Sequence, residues 1–177
     1  SYASFPAGET NVPTDFTEAA ELTVNAVVHV KTKVFREMEV NPLYEFFFGI
    51  KPEAEVTPLL GFGSGVIISS DGYIVTNNHV IDESDEIEVI LNDRREYTAK
   101  LIGKDPTTDL ALIKIDETDL PLIGFGNSDK LRLGEWVLAV GNPFNLNSTV
   151  TAGIISAKSR DLNDSDQKNQ SFIQTDA

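Results

Sequence analysis

The segment Val66-Ile67-Ile68-Ser69-Ser70-Asp71-Gly72-Tyr73-Ile74-Val75-Thr76 decides the fold class. Two β-branched runs flank Ser-Ser-Asp-Gly, whose residues tolerate the backbone of a tight turn, so the stretch reads as a β-hairpin. The same grammar continues outward. Ile87–Leu91 and Tyr97–Ile102 flank Asn92-Asp93-Arg94, a second hairpin. Leu110–Ile115 follows Asp105-Pro106, and Trp136–Val140, Val150–Lys158 and Phe172–Thr175 read as further strands, with a connection over Pro121–Lys130. No segment keeps a helical period for about 12 residues or more. Short strands at this spacing predict an all-β sandwich or barrel.

Upstream, Val24, Ala26, Val28 and Val30 alternate with Asn25, Val27, His29 and Lys31, which predicts a strand. Residues 1–20 are polar and read as an extended arm with a short helical turn near Thr17–Glu21. Residues 36–60 hold Pro42, Pro52 and Pro58 and the run Phe46-Phe47-Phe48 without a clear period. They read as a long loop, a kind of segment that is usually functional or disordered. No internal repeat or low-complexity tract is present.

Composition narrows the function classes. The chain has 177 residues with 41% apolar side chains, enough for a sizeable core. Its 14 basic and 28 acidic residues give a net charge of −14. That charge speaks against nucleic acid and anionic membrane surfaces as partners, since both are bound through clustered Lys and Arg. The absence of cysteine excludes a disulfide framework, a zinc–thiolate site and a cysteine nucleophile. No apolar run approaches the roughly 18–20 residues of a membrane span. Ser1–Pro6 carry neither the basic nor the apolar region of a signal peptide.

Several motifs fail on inspection. Gly61-Phe62-Gly63-Ser64-Gly65 resembles a phosphate-binding loop, but a β-rich run follows where that loop needs a helix. It reads instead as the flexible start of a strand. Asp161–Asp166 resembles a calcium loop, but Asp166 and Phe172 stand where an EF-hand needs Gly and Glu. A solvated acidic loop and, as a weaker option, a calcium-binding adhesive domain remain. There are two histidines. His29, among valines in a strand, reads as structural. His79 ends a hairpin strand in Thr76-Asn77-Asn78-His79-Val80, and Asp109 directly precedes the apolar strand at Leu110. A carboxylate buried at a strand start needs a partner, and a histidine held by it has a fixed tautomer and serves as a general base.

Thr76-Asn77-Asn78-His79-Val80, Asp105-Pro106-Thr107-Thr108-Asp109-Leu110-Ala111, Gly141-Asn142-Pro143-Phe144, Thr151-Ala152-Gly153-Ile154-Ile155-Ser156-Ala157 and Gln174-Thr175-Asp176-Ala177 occur in this order. Over roughly residues 20–177 the chain resembles the HtrA (DegP/DegQ/DegS-like) family of chymotrypsin-fold serine proteases. The resemblance implies a double β-barrel: an arm at 1–20, a complete first barrel at 21–118 including the loop 36–60, and a connection with a partial second barrel at 119–177. It implies His79 as general base and Asp109 as the group that orients it, with no cofactor and no metal. It also implies a bacterial periplasmic location, unfolded or misfolded proteins as substrates and a homotrimer.

The same resemblance puts the nucleophile in a Gly-Asn-Ser-Gly-Gly motif, and the chain ends about seven residues short of that serine in the template. The 177 residues alone are therefore expected to be inactive, without the last strands of the second barrel or a following PDZ domain, and to expose sheet edges that pair between copies or lose order after Gly141. Ser64 is not a substitute. By resemblance, Arg160 takes part in sensing an activating signal, Tyr2 and Phe5 pack at the trimer centre, and Phe46, Phe47 and Phe48 lie on a loop reaching a neighbouring subunit. The alternative is a non-catalytic β-barrel that binds peptides or assembles with partners.

Overall fold

The structure is a computed structural model and describes residues 15–35, 58–142, 148–161 and 171–177. Helix α1 (Thr17–Val24) leads into strands β1 (Val27–Phe35), β2 (Pro58–Ile67) and β3 (Tyr73–Asn77). A single helical turn, α2 (Asn78–Ile81), follows. Then come β4 (Glu86–Ile90), β5 (Glu96–Thr98), β6 (Lys100–Asp105) and β7 (Leu110–Lys114). After a 3-10 turn at Ser128–Lys130, β8 (Trp136–Gly141), β9 (Thr149–Asp161) and β10 (Ser171–Thr175) complete the described strands.

Seven strands form one antiparallel sheet in the order β5-β4-β1-β2-β3-β7-β6. Its two ends, β5 and β6, are joined through Ala99 alone, whose N–H donates to Ile87 O (2.8 Å). A sheet whose ends are consecutive in the chain must curl, and this one wraps a core of Val28, Val30, Ile67, Ile74, Val89 and Ile113 with neighbouring aliphatics. The period-2 pattern selects them. Ile74 and Thr76 of β3, Ile87 and Val89 of β4, and Ala111 and Ile113 of β7 point inward, while Glu86, Glu88 and Lys114 point outward. Each inward Ile or Val contributes about 1.5–3 kcal/mol of apolar transfer. The second sheet has the order β10-β9-β8, with β8 and β9 in unbroken register from Trp136↔Ile154 to Gly141↔Thr149.

The anticipated hairpin is present. Ile67 pairs with Ile74, and Gly72 turns the chain with φ 98°, a conformation that favours glycine. Four expectations need correction. The Thr17 turn continues as a helix to Val24, so β1 begins at Val27 and Val24 belongs to no strand. Pro58–Leu60 is not loop, because a proline is tolerated at the first residue of a strand. The stretch Tyr97–Ile102 is two strands, since its halves pair with different partners, β4 and β7.

The fourth concerns Gly61–Gly65, which lies inside β2 rather than at its start. Close approach explains the glycines. A Cβ at Gly61 would lie 2.5 Å from Thr32 Oγ1, and one at Gly63 would lie 2.6 Å from Cγ1 of Val80, which follows His79. His29 is structural, as anticipated. It is 1% exposed, stacks on Phe62 with ring centroids 5.5 Å apart, and donates from Nδ1 to the carbonyl of Asn142 (2.7 Å). Among the described residues, no helix is long and apolar enough to cross a membrane.

Two substitutions test these contacts. Gly63→Ala should destabilise by about 1–3 kcal/mol through overpacking against Val80. The Tm should fall by roughly 2–4 °C per kcal/mol, and adding Val80→Ala should recover part of the loss. In the second sheet, a Cβ at Gly153 would meet Ala177 N at 2.3 Å, and Asp176 Oδ1 accepts from Ile154 N–H (2.8 Å). Gly153→Ala should therefore release Asp176, read as faster amide exchange at Ile154 with the exchange of Ile74 and Ile113 unchanged.

Candidate active site

The site is assembled by one strand pair. β3 and β7 run antiparallel from Tyr73↔Lys114 to Asn77↔Leu110. The residue after β3 starts α2, and the residue before β7 is Asp109, so the register itself brings His79 and Asp109 to the same end of the sheet. Asp109 has φ 56°, a left-handed conformation that Asp tolerates better than most side chains. The turn before it is tied by Asp105, which accepts from Thr107 N–H (2.9 Å) and Thr108 Oγ1 (2.8 Å). These bonds hold the Asp105 carboxyl below its ordinary pKa, the Thr108 hydroxyl first and the Thr107 amide second.

Asp109 collects donors from three consecutive residues. Asn78 N–H donates to its carbonyl (3.0 Å). His79 N–H donates to Oδ1 (2.9 Å), and His79 Nδ1 donates to Oδ2 (2.7 Å). Asn77 Nδ2 donates to both the carbonyl (3.2 Å) and Oδ2 (3.1 Å). The carboxyl is held below its ordinary pKa, chiefly by the His79 backbone amide and then by the imidazole. An ionised carboxylate only accepts, so the imidazole proton on that side sits on Nδ1. Nε2 is left with its lone pair free to take a proton.

The expected burial of this carboxylate is not found. The Asp109 side chain is 35% exposed and that of His79 is 71% exposed. Asp109 is satisfied by hydrogen bonds at the rim of the sheet, where a partner is needed for orientation more than to offset burial. Beneath it, α2 is anchored by buried Ile81 and by Thr32 Oγ1 donating to the Val80 carbonyl (3.4 Å). Lys104 pairs with Asp82 at 2.7 Å and ties β6 to the residue after α2.

The other anticipated positions fall elsewhere. Arg160 lies on β9 in register with Phe172, in the three-stranded sheet rather than in the sheet that carries His79. Tyr2, Phe5, Phe46, Phe47 and Phe48 lie outside the described residues, as do residues 162–166 of the acidic run. Ser64 Oγ accepts from Asn142 N–H (2.8 Å), a joint between the two sheets. Among the described residues no serine hydroxyl is hydrogen-bonded to His79. The residue that sequence reasoning missed is Asn77. Its only signal was the Asn-Asn pair before the histidine, and nothing in that pair told which asparagine faces the aspartate.

Residues 63–177 match the trypsin-like peptidase domain. The chain is 48% identical over 182 residues to a protein of Marinomonas sp. (strain MWYL1) named "Probable periplasmic serine endoprotease DegP-like", covering 92% of this chain and 38% of that one. A protein of the same name from Chlamydia muridarum (strain MoPn / Nigg) is 55% identical over 116 residues, covering 65% of this chain and 23% of that one. The chain thus spans well under half the length of these relatives. Among solved structures, the HtrA-type protease AlgW with a tripeptide superposes with a TM-score of 0.73 at 38% identity, covering 92% of this chain and 46% of that one. The curled seven-stranded sheet, the second sheet beside it and the match across both agree that this chain belongs to the trypsin-like peptidase family, with DegP-like and HtrA-type proteases as its relatives.

Proposed function

We propose that this chain supplies the general-base half of a serine endopeptidase that cleaves unfolded or misfolded proteins in the bacterial periplasm. The observation that carries the reading is the 2.7 Å contact between His79 Nδ1 and Asp109 Oδ2 beside an exposed imidazole. In this reading Nε2 takes the proton of a serine hydroxyl as its oxygen attacks the scissile carbonyl, then returns that proton to the departing amine. Asp109 stays ionised and steadies the imidazolium. We assign the serine, by resemblance, to a Gly-Asn-Ser-Gly-Gly motif following Ala177, whose backbone N–H groups would form the oxyanion hole. A non-catalytic binding barrel would give no reason for a surface histidine to be held by an aspartate.

The same reading extends to the rest of the chain. It divides the chain into an arm at 1–20, a first barrel at 21–118 and the opening of a second at 119–177. Arg160 takes part in sensing an activating signal. The assembly is a homotrimer, with Tyr2 and Phe5 at its centre and Phe46, Phe47 and Phe48 reaching a neighbouring subunit. Support comes from the resemblance and from relatives named as periplasmic serine endoproteases.

Two kinds of outcome are expected, one in reactivity and one in pH dependence. The 177-residue chain, near 19.4 kDa by intact mass, should form no adduct with a fluorophosphonate probe, whereas the protein extended through the motif should. In that longer protein Asp109→Asn should lower kcat by about 10⁴, the loss seen in the chymotrypsin-type template. An adduct on the short chain, or full activity in the variant, would sink the reading.

The second concerns pH. Asp109 has a depressed folded pKa, so its contribution to stability is complete above the unfolded value of about 3.9 and is lost as pH falls through the lower folded value. The Tm gap between wild type and Asp109→Asn should therefore narrow as pH falls below about 4.

A further inference from the structure

We propose that Asn77 is a positioning residue for the His79–Asp109 pair, its side-chain amide clamping the carbonyl and the carboxylate of Asp109 at once. The proposal rests on the reading of that pair as the catalytic base and its orienter. The geometry is specific. Asn77 Nδ2 carries two hydrogens and has two acceptors, Asp109 O at 3.2 Å and Oδ2 at 3.1 Å. Both partners are oxygens, which fixes the amide with its nitrogen toward Asp109.

The need for such a clamp follows from the site. Asp109 is at a turn, has a left-handed backbone, and leaves 35% of its side chain exposed, so its carboxylate could swing into water. The His79 amide fixes Oδ1 but leaves the plane of the carboxylate free to pivot about that oxygen. Oδ2 is the atom that faces the imidazole, and Asn77 is its other donor. Asn77 is itself well placed to hold still, because it ends β3 in register with Leu110, the residue after Asp109. A clamp built on a strand pair is stiffer than one built on a loop.

The nearby cation of Lys104 does not take over this role, because its ammonium donates to Asp82 (2.7 Å). Water can replace part of a lost donor at an exposed site, so removal of the amide should loosen the pair by a modest factor rather than abolish it.

The test is the tautomer of His79 in the 177-residue chain, read from ¹⁵N shifts of labelled histidine at mildly alkaline pH, where imidazoles are neutral. His29, bound to the Asn142 carbonyl, is the internal control. Wild type should hold the proton mainly on Nδ1. Asn77→Ala should move the ratio toward the Nε2 form by about threefold, as loss of an exposed hydrogen bond predicts, with His29 unchanged. Asn77→Ser, which keeps a favourable helix-start residue but has too short a reach, should do the same. Asp109→Asn should reverse the tautomer. If Asp109→Asn reverses it while both Asn77 variants leave it alone, the clamp is wrong and the catalytic pair stands. If wild-type His79 does not carry its proton on Nδ1, the pair and the clamp fall together.

Discussion

Everything at this site depends on the pairing of β3 with β7. Side chains alternate across a strand, so a slip of one residue would turn Ile74 and Ile113 out of the core and two strands' worth of apolar burial would be lost. The same slip would move Asp109 by about 3.3 Å along the strand, beyond reach of a histidine now 2.7 Å away. The aliphatic core and the polar pair therefore share one register. The core supplies the free energy that fixes the register, and the pair inherits its alignment along the strands from it.

That alignment still requires an unfavourable backbone. Asp109 is left-handed, which for a non-glycine residue costs on the order of 1 kcal/mol. It persists because three consecutive residues, Asn77, Asn78 and His79, all donate to it. Glycine at residue 63 solves the complementary problem on the other side of α2. Without a side chain there, Val80 can press against β2, and the helical turn that carries His79 is held on a rigid sheet instead of projecting from it.

How much of this was legible in the sequence depends on how local each feature is. The Ser69–Gly72 hairpin was readable because its turn chemistry lies between the strands it joins. His79 and Asp109 were readable as candidates because short motifs surround each in a telling order. The break at Ala99 was not, because it exists only when one half of the segment meets β4 and the other meets β7. Pro58 and Val24 misled for a related reason. Proline composition suggested a loop where pairing with β1 makes a strand, and alternation suggested a strand where α1 had not yet ended. The role of Asn77 required a direction, toward Asp109 across the sheet end, that no one-dimensional pattern contains.

The joint between the two sheets follows the same logic of shared constraints. On β1 the residues Val27 to Val30 are buried on both faces, although an isolated sheet face would leave alternate ones exposed. Val28 and Val30 belong to the core, and His29 is covered by Phe62 and the Asn142 carbonyl. Asn142 N–H also donates to Ser64 Oγ, while Ser64 O accepts from Thr76 Oγ1 (2.8 Å). One residue after β8 is thus tied to β1 and to β2, and through Thr76 to the strand that ends at Asn77. A chain of hydrogen bonds runs from the second sheet to the residue next to the clamp, passing through glycine-flanked Ser64. Hydrogen bonds at this joint therefore hold the end of β8 and the strand that leads to His79 in one frame.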